Sequence, residues 1–132
     1  MDKPNKKKVL IVDDEPNVRE LVQRLLSRDY VVFEAHDGEM AVNIARSQKP
    51  DLILMDMMMP GIDGLAACNT IKTDPDTGNI LVVMLTAVGY ELNKRIAEEL
   101  MGADGYITKP FDSHVLLDKV SQLLNSRQVR AG

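Results

Sequence analysis

Three carboxylates, a hydroxyl and an ammonium each follow a short apolar run, at places far apart along the chain. They are Asp13 and Asp14 after residues 9–12, Asp56 after residues 52–55, Thr86 after residues 80–85 and Lys109 after residues 106–107. Crowded carboxylates repel one another and raise each other's pKa unless a cation lies between them. Oxygen ligands with no His or Cys at matching positions favour Mg²⁺, which readily shares its ligand shell with a phosphoryl oxygen. If the fold brings these side chains together, they form a pocket for Mg²⁺ and phosphate.

The charges predict a role for each side chain in phosphoryl transfer. The carboxylate of Asp56 is a usable nucleophile when a metal ion and the ammonium of Lys109 neutralise the incoming oxygens. Pro110 has no backbone N–H, and we expect it to fix the path of the chain after Lys109, where an X–Pro bond can be cis. The hydroxyl of Thr86 can donate a hydrogen bond to a phosphoryl oxygen and pull its own loop towards the site. In such a site, the negative charge of a phosphoryl group would move the loop that carries Thr86.

The elements that must position these residues follow a βα pattern, in which short apolar runs alternate with stretches long enough for a helix. The predicted strands contain residues 9–12, 31–33, 52–55, 80–85 and 106–107, and apolar spacing of three and four predicts helices over residues 18–26, 40–45, 92–101 and 116–124. A further helix precedes the turn residues Pro75, Thr77 and Gly78. The continuous first, third and fourth runs indicate central parallel strands covered on both faces. We predict an α/β fold of five strands and five helices, with ligands at the carboxyl ends of the strands.

Length, charge and cysteine content exclude several kinds of protein. A chain of 132 residues fits one compact domain that can bury roughly two-thirds of its unfolded surface. The net charge of −4 argues against direct nucleic-acid binding, which needs a clustered basic face. Cys68 is the single cysteine, so an internal disulfide and a cysteine zinc cluster are excluded. No apolar run approaches the ~20 residues of a membrane helix and no signal peptide is recognisable, so we expect a cytoplasmic protein without membrane contact.

The four segments that carry these residues, taken in order, resemble the motifs of response-regulator receiver domains of two-component signalling systems, which include the single-domain chemotaxis regulators. They read VDDE at residues 12–15, MDMMMPGIDG at 55–64, LTA at 85–87 and YITKPF at 106–111. The resemblance covers about residues 7–126, with residues 1–6 as a flexible segment and residues 127–132 as a polar tail or the start of a linker. It implies a flavodoxin-like (βα)5 fold in three layers with strand order 2-1-3-4-5.

The resemblance also implies a role for each site residue. Asp56 would be the phosphoacceptor. Asp14, Asp56 and the backbone carbonyl of Met58 would bind Mg²⁺ directly, and Asp13 would act through metal-bound water. Lys109 would contact the phosphate. Thr86 would be the switch hydroxyl, and Tyr106 would be the switch aromatic that rotates inward when Thr86 moves.

The function implied is that of a phosphoacceptor that catalyses its own phosphorylation and slow dephosphorylation, and not of an enzyme with a separate substrate. A phosphohistidine on a sensor kinase or phosphotransfer protein would supply the phosphoryl group. The face of the fourth helix, fifth strand and fifth helix would then change and control a downstream protein or an output domain, and a homodimer through this face is possible. Met58 and Val88 cannot hold an attacking water through their side chains, so we predict slow self-dephosphorylation.

Three other interpretations stay open to different degrees. A phosphatase of the haloacid-dehalogenase kind needs a second Asp two residues after its nucleophile, where Met58 stands. A nucleotide- or flavin-binding module needs a glycine-rich loop after the first strand, where Asp13 and Asp14 would instead repel phosphates. A phosphate-independent interaction module with the receiver fold is the alternative that labelling experiments must exclude.

Overall fold

A computed structural model describes residues 6–57, 59, 64–87 and 102–131 of the chain, with side chains to residue 126. In these residues five parallel strands form one sheet in the order β2-β1-β3-β4-β5. The strands are β1 Lys8–Val12, β2 Val31–Ala35, β3 Leu52–Asp56, β4 Leu81–Ala87 and β5 Gly105–Lys109. The predicted strand order is confirmed. From β1 the chain adds β2 on one side of the sheet and then β3, β4 and β5 on the other. Where the strand order reverses, between β1 and β3, the loops diverge and leave a crevice.

Four helices are described, and local residues account for several of their ends. They are α1 Pro16–Leu26, α2 Gly38–Gln48, α3 Gly64–Thr73 and the last helix, Ser113–Ala131. Pro16 stands in the first turn of α1, where its missing N–H is no loss. The side chain of Asp37 caps α2 by accepting a hydrogen bond from the backbone N–H of Met40 at 2.8 Å. The predicted fourth helix, residues 92–101, lies outside the described residues.

The sheet is buried between two apolar layers, as the continuous runs predicted. Alternate side chains of β1 point to opposite faces: Leu10 and Val12 join the cluster that includes α2 and α3, and Val9 and Ile11 join the cluster that includes α1 and the last helix. All five residues of β3 are buried. The α/β fold with helices on both faces is therefore confirmed, and its central strands are buried between the two layers.

Several boundaries differ from the predicted ones because strand pairing continues beyond the apolar runs. Thr86 and Lys109, expected to follow β4 and β5, are paired residues inside these strands. The last helix continues through residues 127–131, and the domain boundary that we predicted after residue 126 stays a prediction. Residues 1–5 of the predicted flexible segment lie outside the described part of the chain. Among the helices described, none is long and apolar enough to cross a membrane.

The core of β3 gives a test of this architecture. Leu54 is fully buried in the central strand, so Leu54→Ala should lower the free energy of unfolding by about 2–5 kcal/mol through lost burial and a cavity. Leu21→Ala, the same change at a side chain that is 38% exposed on α1, should cost at most about 1 kcal/mol. Urea denaturation followed by circular dichroism measures both values. Equal losses would contradict the assignment of β3 to the core.

Candidate functional site

The predicted acidic residues meet at the carboxyl end of the sheet. Val12 and Met55 are Cα partners in the β1–β3 pair, so Asp13 and Asp56, the next residues, lie side by side. One carboxylate oxygen from each of Asp13, Asp14 and Asp56 lies within 4.8 Å of the other two. Asp13 is fully buried, Asp56 is 6% exposed and Asp14 is exposed. The fold thus concentrates three negative charges at the mouth of the crevice.

The ammonium of Lys109 lies next to this cluster. Its Nζ is 2.7 Å from Oδ2 of Asp13, 3.5 Å from Oδ1 of Asp56 and 3.8 Å from Oε1 of Glu15. Burial by itself lowers the pKa of Lys109, but the hydrogen bond and charge of Asp13, with the charges of Asp56 and Glu15, outweigh it and raise this pKa above its ordinary value. The ammonium is therefore charged at neutral pH. The Lys109-Pro110 bond is cis, as the sequence allowed.

The buried Asp13 carboxylate is satisfied at both oxygens. Oδ1 accepts a hydrogen bond from the backbone N–H of Glu15 at 2.9 Å, and Oδ2 accepts one from Lys109. Burial of a carboxylate is tolerated when it is paired and hydrogen-bonded in this way. In the described structure Asp13 thus anchors Lys109, whose Nζ lies closer to Asp13, at 2.7 Å, than to Asp56, at 3.5 Å.

Thr86 lies beside Asp56 in the sheet, and its hydroxyl makes no hydrogen bond within the described residues. Asp56 pairs with Leu85 across β3 and β4, which places Thr86 one residue beyond this pair. Thr86 is 1% exposed, and its Oγ1 has no hydrogen-bond partner in the described part of the chain. A buried hydroxyl without a partner costs about 1–3 kcal/mol. A new acceptor beside Asp56 would remove this cost, which is the arrangement expected of a switch hydroxyl.

Tyr106 is the next predicted switch residue along the sheet. It is the Cα partner of Met84 in β4 and lies half-buried against the α2–α3 side of the core. The structure places it near Thr86 along paired strands and describes one position of its ring, so its rotation stays a prediction. Met58, whose backbone carbonyl we expect to bind the metal, and Val88 lie outside the described residues.

Gly64 has a role that we did not predict, although it ends the MDMMMPGIDG segment. It begins α3 with its Cα against β3, and a Cβ added there would lie 2.0 Å from the carbonyl oxygen of Asp56. Its N–H donates to the carbonyl of Met57 at 3.1 Å. Only glycine allows this close approach. The signal in the sequence was a glycine eight residues after Asp56, but its contact depends on how α3 returns to the sheet.

The donor set fits a hard divalent cation. Three carboxylates face one ammonium, so negative charge is in excess, and all available ligand atoms of the cluster are oxygens. Mg²⁺ prefers such oxygen ligands and retains several waters, for which the exposed side of Asp14 leaves room. The buried Asp13, already bound to Lys109, is suited to contact through water.

Comparison with known proteins supports the predicted family. The family model described as the response regulator receiver domain matches residues 9–121. The transcriptional regulatory protein ResD of Bacillus subtilis is 40% identical over 125 residues, which cover 94% of this chain and 50% of ResD. The DNA-binding dual master transcriptional regulator RpaA of Synechocystis is 40% identical over 118 residues, or 89% of this chain and 48% of RpaA. The chain thus spans about half the length of these curated relatives.

Solved structures agree with this family. A putative response regulator from Chloroflexus aurantiacus has a TM-score of 0.85 and 34% identity, with 92% of this chain and 99% of that chain covered. The chemotaxis protein CheY4 of Vibrio cholerae has a TM-score of 0.82 and 28% identity, with 89% and 98% covered. Motifs, strand order, sequence relatives and structural neighbours lead to one conclusion: the chain belongs to the response-regulator receiver domain family of two-component systems.

Proposed function

We propose that this receiver domain accepts a phosphoryl group on Asp56 from a phosphohistidine of a sensor kinase or phosphotransfer protein. One observation supports this most strongly. The Asp56 carboxylate lies at the carboxyl end of β3 with an ammonium 3.5 Å away and two further carboxylates in the same cluster. A nucleophile, a positive charge for the phosphoryl oxygens and a cation site are thus present in one crevice.

Asp14 and Asp56, together with the backbone carbonyl of Met58, would hold Mg²⁺ directly, with Asp13 contacting it through water. When bound, Mg²⁺ supplies positive charge that neutralises the phosphoryl oxygens during transfer. The chain's own part is to present these oxygens at the end of the buried sheet, because Asp13 follows β1, Asp56 ends β3, and these two strands pair with each other. The roles of these ligands follow the family and fit the donor set of the described cluster.

In the transfer step an oxygen of the Asp56 carboxylate attacks phosphorus, the P–N bond to the donor imidazole breaks, and the electron pair of that bond leaves with the imidazole. Lys109 keeps its proton and pairs with the phosphoryl oxygens. Its present bond to Asp13 holds it 3.5 Å from Asp56, close enough to contact a group on that carboxylate without a change of strand position. Lys109 is therefore a phosphate contact and not a general base.

The phosphoryl group would then act on Thr86. It adds ~1.5 to 2 negative charges and strong acceptor oxygens beside Asp56. The buried Thr86 hydroxyl, which has no partner among the described residues, can donate to one of these oxygens. Because β4 pairs with β5, movement at Thr86 reaches Tyr106 and the face of the predicted fourth helix, β5 and the last helix. This face would control a downstream protein or an attached output domain, and a homodimer through it is a further possibility.

Labelling of Asp56 tests the proposal. Intact mass after incubation with acetyl phosphate should show phosphoryl addition that requires Mg²⁺ and disappears in Asp56→Asn. Asp51→Asn is the matched control, because Asp51 precedes the same strand at its other end, where its carboxylate accepts the backbone N–H of Lys8. This variant should be labelled as the wild type is. An unlabelled wild type would favour the phosphate-independent interaction module.

Thr86 gives a second test, which separates labelling from switching. Thr86→Val keeps the shape and removes the hydroxyl, so the protein should still be phosphorylated and remain at least as stable, since an unpaired buried group is lost. When beryllofluoride is added as a phosphoryl mimic, its amide signals at 105–107 of β5, which lie before the phosphate contact Lys109, should shift much less in NMR spectra than those of the wild type. Thr86→Ser, which keeps the donor, should restore the shifts. Wild-type shifts in Thr86→Val would contradict the proposed role of the hydroxyl.

The lifetime of the phosphoryl group is a third test. Met58 offers no side-chain hydrogen bond to an attacking water, so the phosphorylated protein should have a half-life of many minutes. Met58→Asn should shorten it on the order of tenfold by orienting that water. Met40→Asn, at an exposed methionine of α2, serves as the control and should leave the half-life unchanged. A wild-type half-life of seconds would refute slow hydrolysis.

A further inference from the structure

Arg19 connects α1 with β2 and with Asp13, the residue that follows β1. Its Nη1 donates a hydrogen bond to the backbone carbonyl of Asp13 at 2.8 Å, and its Nε lies 3.3 Å from Oε1 of Glu34 in β2. The Arg19 side chain is only 19% exposed. Arg19 belongs to the first turn of α1, where its backbone N–H donates a hydrogen bond to the carbonyl of Glu15 at 3.2 Å. The guanidinium is thus held in place between two acceptors.

With the hydrogen bond from Arg19 to its carbonyl, every polar atom of Asp13 has a partner. The backbone N–H of Asp13 donates to Ala35 in β2 at 3.1 Å, and its two carboxylate oxygens accept from Glu15 and Lys109. Among these bonds, only the one from Arg19 acts on the planar peptide that joins Asp13 to Asp14. This peptide carries the backbone nitrogen and Cα of Asp14, so holding it restricts the positions from which the Asp14 side chain starts.

Asp14 needs such support more than its neighbours do. Asp13 is fully buried and Asp56 nearly so, whereas Asp14 is exposed, and no hydrogen bond from the described residues holds its carboxylate. A Mg²⁺ ligand that is free to rotate binds with an entropic cost, which groups outside the ligand shell reduce by fixing its geometry. The peptide bond held by Arg19 comes directly before Asp14 in the chain, so it fixes the backbone that carries this carboxylate.

We propose that Arg19 is a positioning residue that orients Asp14 for Mg²⁺ through the carbonyl of Asp13, an inference that rests on the proposed function of the site. Its charge alone would act in the opposite direction. A guanidinium bonded to the backbone carbonyl of Asp13 repels a cation held by the acidic cluster, so loss of the charge by itself should strengthen Mg²⁺ binding. Loss of a positioning bond should weaken it. The sign of the change therefore distinguishes the two effects.

Arg19→Met tests the sign, because methionine keeps an unbranched stem and removes every donor. Mg²⁺ titration of the full chain, followed by amide chemical shifts in NMR, should give a dissociation constant about tenfold higher than in the wild type. Arg46→Met is the matched control: Arg46 on α2 has the same 3.3 Å Nε contact, to Asp74, but lies away from the cluster. Its dissociation constant should equal that of the wild type.

Arg19→Lys keeps the charge but lacks the planar fork that reaches both acceptors, so its dissociation constant should lie between the other two, about threefold above the wild type. This variant decides the matter if Arg19→Met does not fold. Unchanged or tighter Mg²⁺ binding in the folded Arg19 variants would overturn this inference alone. A wild type that binds no Mg²⁺ would overturn the proposed function and this inference with it.

Discussion

Repulsion among like charges at one end of the sheet is the constraint on which the rest of the site depends. Because β1 and β3 are paired, Asp13 and Asp56 are neighbours, and Asp14 brings a third carboxylate within 4.8 Å. The ammonium of Lys109, held 2.7 Å from Asp13, offsets one of these charges. Negative charge remains in excess, and this excess attracts a divalent cation. The same excess repels a phosphate, which can therefore approach only when the cation is bound.

The three carboxylates differ in how firmly they are held, and this difference divides their tasks. Asp13 is buried with every polar atom bonded, which is the condition under which a buried charge is stable. Asp56 is aimed by its strand, against which Gly64 lies closely. Asp14 is exposed to solvent. The site therefore combines a fully bonded carboxylate at Asp13, the proposed phosphoacceptor at Asp56 and a solvent-exposed carboxylate at Asp14.

Hydrogen bonding is complete around Asp13 and incomplete around Thr86. The unused Thr86 hydroxyl is buried one residue beyond the Cα partner of Asp56 in β4. New acceptor oxygens on Asp56 would therefore find a donor on the β4 side and few available donors on the β1 side. In the proposed switch, this asymmetry would direct the response towards β5 and Tyr106, because β4 pairs with β5.

The sequence by itself determined the fold class and the members of the cluster. Continuous apolar runs separated by helical spacing can be covered only in a layered α/β fold, and residues after parallel strands must meet at one edge. It did not reveal the contacts of Gly64 and Arg19, or that Lys109 would bond to Asp13 more closely than to Asp56. Only the tertiary structure decided these, because Lys109 and Asp13 are 96 positions apart and meet solely through the pairing of strands and the return of each helix. Local patterns specify which face of an element is buried, whereas distances between functional atoms depend on neighbours that are remote in sequence.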